Sequence, residues 1–115
     1  MKYALQNGWT KQRMLDAVNT HVPENGAFNL VGGCQYVLEG VGRCAAGAML
    51  SDEHAALYGG FGGSTHELVA KARYDRVELG FPLGGEGMSQ LQRLHDKEPH
   101  GARARVLAWI EANVE

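Results

Sequence analysis

The stretch "GGCQYVLEGVGRCAAGAMLSDEH", residues 32–54, decides the fold, because it admits four readings that exclude one another. Cys34, Cys44, Asp52 and His54 could form a metal cage, a redox pair, a nucleophile with its base, or simply parts of a tight hairpin feeding a helix. The residue order favours the hairpin. In "FNLVGGCQYVLEGVGRC" β-branched and aromatic residues alternate with glycines at 32, 33, 40 and 42, a pattern for a short bent hairpin that turns at "EGVG". "CAAGAML" then has few strand formers and a small-residue face, so it is expected to leave the hairpin as a buried helical turn or two beginning near Ala45, with Gly47 allowing close backbone approach. Ser51 has the position and chemistry of a cap for "DEHAALY".

Working outward from this stretch, Thr10 precedes "KQRMLDAVNTHV", where Met14, Leu15, Val18 and Val22 recur at helical spacing. Trp9 and Met14 occupy the two positions of a hydrophobic staple around that cap, and "PENG" ends the helix. "GGFGGS" is a loop, and Ser64 with Glu67 makes an S-x-x-E capping box for a helix over "THELVAKARY". "DRVELGFPLGGEG" predicts a short strand at "RVEL" followed by a glycine-rich loop. Met88, Leu91 and Leu94 mark a helix ending near Pro99, and Val106, Trp109, Ile110 and Val114 put an apolar stripe on a last helix over roughly 102–114. The expected fold is α+β: one compact domain over 1–115, mostly helical, with about five helices around one small hairpin.

The bulk numbers exclude several classes. A chain of 115 residues with 44% hydrophobic and 21% charged side chains has enough core to fold without disulfide or metal. Eleven basic against thirteen acidic residues, net −2, lack the basic surplus of a phosphate-backbone binder, so nucleic acid is not the expected partner. No run suits a membrane span, and the first residues carry no apolar signal core, so a cytosolic protein is expected. In a reducing compartment both cysteines would remain thiols.

Packing competes with every chemical reading of these residues. Structural zinc usually draws ligands in close pairs, whereas nine residues separate Cys34 from Cys44 and nine separate Cys44 from His54. A nucleophilic Cys44, with His54 or His66 as base and Asp52 as orienter, would sit at a helix start, but its neighbours "AAGAML" are apolar and favour an inert thiol. Cys34 and Cys44 are therefore expected to be buried where the hairpin meets the helix, with serine at 44 costing more than alanine. The loop Gly62, Gly63, Ser64 and Thr65 is the candidate ligand site, since glycine-rich backbone entering a capped helix presents N–H groups to a small anion. It lacks the lysine of a phosphate-binding loop. Asp52 and Glu53 suit the first turn of a helix, and "HGARAR", with His100, Arg103 and Arg105, reads as a solvated face. His95 in "LQRLHDK" reads as structural, oriented by Asp96 or packed beside Leu91. No cofactor motif is present.

The segment "CQYVLEGVGRCAAGAMLSDE" resembles a pattern in small proteins encoded by tailed bacteriophages and prophages: a C-x-Y hairpin, a variable turn, then [KR]-C-A-x-G-x-[LI]-[IL]-[PS]-D-E, matched best from Arg43 to Glu53. "LQRLHD", residues 91–96, is similar to an L-Q-x-[IV]-H-D segment of the same proteins. Ser51 stands where proline is usual, Val37 where arginine is usual, and the glycines of 59–63 lie outside the pattern. The resemblance implies a phage accessory protein acting in the host cytosol, and brings no catalytic residues with it. The function expected is binding and modulating a host protein or sequestering a small ligand, in counter-defence for instance; the alternatives are a small Cys44-dependent enzyme and a structural zinc protein.

Overall fold

The structure is a computed structural model that describes residues 2–28 and 35–115. Along the chain the elements are α1 (Lys11–His21), β1 (Val37–Leu38), β2 (Gly42–Arg43), α2 (Ala45–Ala48), α3 (Asp52–Tyr58), α4 (Thr65–Tyr74), α5 (Gly85–Asp96) and α6 (Ala102–Asn113). Among the described residues this is six helices and one antiparallel hairpin, the α+β arrangement that the sequence predicts. None of these helices is long and apolar enough to cross a membrane.

Local chemistry sets most helix starts. The Thr10 hydroxyl accepts from the Arg13 N–H at 3.1 Å, and Ser51 does the same for His54. At Ser64 the capping box is complete: its hydroxyl accepts from Glu67 N–H at 3.2 Å while the Glu67 carboxylate accepts from Ser64 N–H at 3.1 Å. In the hairpin Val37 pairs with Arg43 and Leu38 with Gly42. Its turn runs from Leu38 to Val41, whose N–H donates to the Leu38 carbonyl, with Gly40 at φ 79° in the third position, where a type II turn needs glycine.

Two paired residues per strand make a hairpin too small to stand alone, and α2 is what holds it. All four α2 residues are buried. The ladder is continued by the Cys44 N–H donating to the Tyr36 carbonyl, and that same carbonyl lies directly over Gly47. A Cβ at 47 would overlap the carbonyl oxygen and come within 2.8 Å of its carbon. Around this contact α2 packs on α1 and α5, α5 packs on α4 and α6, and α6 returns to α1. Met14, Val18, Met49, Leu68, Met88, Leu91, Val106 and Ile110 fill the space between them.

Extended segments close the two ends. Tyr3 bridges to Val114, its N–H donating to Asn113 and its carbonyl accepting from Glu115. Gln6, Asn7 and Trp9 then hydrogen-bond to the carbonyls of Pro82, Phe81 and Gly80. Trp109, expected on the apolar stripe of α6, is only partly buried and leans on the Tyr3 ring with centroids 5.4 Å apart.

Three expectations are corrected. "RVEL" forms no strand: Arg76 is left-handed at φ 61°, its N–H donates to Arg73, and the Val77 N–H donates to Ala72 at 2.7 Å, so these residues complete a Schellman ending of α4. Arginine instead of glycine at the left-handed position hid that ending. Secondly, "GEG" is the first turn of α5 rather than loop. Thirdly, Arg105 is not solvated: its guanidinium donates to the carbonyls of Leu94 and Glu98, both at 2.6 Å, and of His100 at 3.1 Å, closing the turn between α5 and α6.

The two backbone features predict opposite responses in urea denaturation. Gly47→Ala is expected to destabilise by about 3 kcal/mol or more, because backbone rather than a flexible side chain must give way. Arg76→Gly is expected to stabilise by about 0.5–1 kcal/mol, the left-handed strain relieved less the added freedom of the unfolded chain.

Candidate functional site

The hairpin–α2 unit, the loop before α4 and the C-terminal half of α5 meet at a recess of about 260 Å³. It brings together two candidates from distant parts of the sequence, Cys44 and the run Gly62 to Ser64, and adds Glu67, Gln92 and Asp96. Cys44 is the N-cap of α2, only 1% exposed, with its Sγ accepting from the Gly47 N–H at 3.3 Å. The Tyr36 hydroxyl donates to the Gly63 carbonyl at 2.8 Å, fastening the glycine loop to the hairpin.

The polar groups on the α5 side form one continuous chain of hydrogen bonds. The Ala46 N–H at the start of α2 donates to Gln92 Oε1 at 2.8 Å, and Gln92 Nε2 donates to Asp96 Oδ1 at 2.8 Å. His95 Nδ1 lies 2.8 Å from the same Asp96 oxygen, and His95 Nε2 accepts from the Ala27 N–H at 3.0 Å. Acceptance at Nε2 assigns the imidazole proton to Nδ1, which therefore donates to Asp96. Phe28 stacks on the ring at 4.7 Å, and the histidine is wholly buried. A His–Asp pair of this kind could suggest general-base chemistry, but Nε2 is held by a backbone N–H and faces no reacting group. The sequence indicated that His95 is structural; it gave no sign of Gln92 as the link to α2. The only available signal was the i, i+4 spacing of Gln92 and Asp96 on one helix.

The remaining predicted residues are dispersed. Asp52 pairs with Arg43 at 2.9 Å, while Arg43 also donates to the Leu50 carbonyl at 3.1 Å. His54 does not line the recess, and its enclosed Nδ1 has no hydrogen-bond partner among the described residues. His66 lines a different cavity, beside Gly85, and so does Thr65. Cys44 is thus brought together with neither histidine. Cys34 lies outside the described residues, and with it the expected Cys34–Cys44 packing. Among the described residues no group of three histidine, cysteine or acidic side chains could hold a metal ion.

The anion site expected from sequence spans Gly62 to Thr65, at the start of α4. The capping box uses the N–H groups of Ser64 and Glu67, and two carboxylates line the recess that the glycines border. Elsewhere burial, and then the neighbouring Arg43 guanidinium, lower the His21 pKa against the opposing pull of Asp52. Hydrogen bonds from Lys71 and then Tyr58 hold the Asp75 carboxyl below its ordinary value, and burial followed by the same Asp75 bond raises the Tyr58 hydroxyl. The Tyr58–Asp75 hydrogen bond ties α3 to the end of α4, since Tyr58 belongs to α3 and Asp75 closes α4. Compared with protein-family models, curated proteins and solved structures, the chain matches none.

Geometry at Cys44 reverses the expected order of its substitutions. Serine finds the Gly47 N–H already aimed at its hydroxyl and is a preferred N-cap, so Cys44→Ser is expected to be the milder change. Cys44→Ala loses both the cap and buried volume and should cost about 1–2 kcal/mol by thermal or urea denaturation.

Proposed function

We propose that the protein is a non-enzymatic binding protein that engages and modulates a host protein, the class implied by its resemblance to tailed-phage accessory proteins. What supports the reading is the use made of the side chains with catalytic potential. Cys44 caps α2, Ser64 and Glu67 cap α4, His95 and Asp96 join α5 to the loop after α1, and Asp52 pairs with Arg43. The described parts of the segments that carry the resemblance, 35–53 and 91–96, are rich in these structural bonds. A shared pattern in them fits a shared scaffold better than a shared reaction.

Contacts with a partner must then come from the surface. Among the described residues three large apolar side chains stand in solvent: Val41 at the hairpin turn, 54% exposed, Leu57 on α3, 62%, and Tyr74 at the end of α4, 85%. Single exposed apolar residues are ordinary on any protein, so their value here is as probes of which face binds. The Cys44 enzyme reading has less support, because its thiol is almost wholly enclosed and both candidate bases lie elsewhere.

Affinity capture from bacterial lysate tests the proposal. One defined host protein is expected on the wild type, and its recovery should be lost with Leu57→Glu, Val41→Glu or Tyr74→Ala while the variant keeps its melting temperature. Turnover of a nucleotide or thioester substrate, together with rapid iodoacetamide labelling of Cys44 in the native state, would overturn it in favour of an enzyme.

A further inference from the structure

A second cavity, of about 470 Å³, lies between α4, the segment 77–83 and the start of α5, away from the Cys44 recess. Its size is that of a small-molecule site. One part of the lining is apolar, from Val69, Leu79, Phe81, Leu83 and Met88, and another is polar, from Gln6, Thr65, His66 and Arg73. Thr65, Val69 and Arg73 follow one another at i, i+4 and i+8 along a single face of α4.

Two independent features point to a ligand here. The first is the end of α5, which opens on the cavity through Gly84 and Gly85. Gly84 offers no capping side chain, and the N–H groups of Gly85, Glu86 and Gly87 have no partner among the described residues. Twelve residues of aligned peptide dipoles stand behind that end, so it favours negative charge. The His66 ring marks its edge, for a Cβ on Gly85 would lie 2.7 Å from His66 Cε1. The second feature is Thr65, on another helix: it lines the cavity, is only 4% exposed, and no hydrogen bond reaches its hydroxyl among the described residues. The hydroxyl oxygen is not sealed off, so in a residue this covered it is reached through the cavity, where a ligand oxygen can bond to it. Arg73 adds a guanidinium in no ion pair among the described residues. Glu78 shares the lining and disfavours a doubly charged ligand such as phosphate.

The geometry points to a binding site for a small organic monocarboxylate, its head taken by the first turn of α5, the Thr65 hydroxyl and Arg73, its apolar body against Val69, Leu79 and Phe81. The site stands whether or not the protein engages a host protein. It also relocates the anion expected from sequence: the glycine loop turns to the acidic recess, while Thr65, one residue on, serves the other cavity.

Titration of the full chain, followed by amide NMR, decides the matter with hexanoate and benzoate as probes and hexanol and inorganic phosphate as controls. Saturable shifts are expected at the amides of Thr65, Gly85, Glu86 and Gly87, with half-saturation at about 1 mM or below. Thr65→Val and Arg73→Gln should each weaken binding about tenfold, as loss of a hydrogen bond to a charged group does. Hexanol binding as tightly as hexanoate, phosphate binding more tightly than either carboxylate, or no saturable shift at these amides would overturn the proposal. So would wild-type affinity in either folded variant; Arg73 is exposed, so its variant keeps the fold and carries the decision if Thr65→Val does not.

Discussion

The tertiary structure depends on the contact of the Tyr36 backbone with Gly47. A four-residue helix contributes little helical stability of its own, and a hairpin with two pairs per strand contributes little as a sheet. Each exists because the other lies against it. With no side chain at 47 the Tyr36 carbonyl can settle on α2 while accepting from the Cys44 N–H, so the ladder passes directly into the helix. The joined unit is then small enough to be surrounded by α1 and α5. A larger residue at 47 would separate strand from helix and open the centre of the core.

Burying α2 leaves a backbone donor at its start to be satisfied, and the polar groups of α5 meet that need. Gln92 takes the Ala46 N–H, passes the demand to Asp96, and Asp96 orients His95, which takes the Ala27 N–H. One helix thus satisfies backbone donors from two different segments through three side chains. Buried polar chains of this kind are stabilising only when complete, because each unsatisfied donor carries its full desolvation penalty. The far end of α5 is closed by Arg105, whose planar guanidinium meets carbonyls from Leu94 to His100 in a way that the point charge of a lysine could not.

These constraints bear on function by elimination and by contrast. The polar residues that attract attention in the sequence are mostly consumed in holding α2, α4 and α5 together. Of the cavities among the described residues, two adjoin the turn into α4 and differ in character: one is acidic and bordered by the glycine loop, the other combines an apolar wall with a bare helix start and the Thr65 hydroxyl. They lie on either side of the same turn into α4, Ser64 lining one and Thr65 the other.

What the sequence determined by itself is local. Thr10, Ser51 and Ser64 start helices because a short hydroxyl side chain bonds to the backbone three residues on, and the glycines of "EGVG" turn the hairpin because left-handed backbone suits them; both effects act within a few residues. Helical spacing likewise located the core faces of α1, α5 and α6, and even the small-residue character of α2 was legible. The Schellman ending at Arg76 was local too, yet misread as a strand, since arginine gives no sign of left-handed backbone. What only the tertiary structure decided is which distant groups meet. Gln92 reaching Ala46, His95 reaching Ala27, Arg105 closing the end of α5, and Thr65 turning away from Gly62 and Gly63 all depend on the relative placement of helices. That placement is set by how side chains of particular size pack around Gly47, a collective property that no single segment carries.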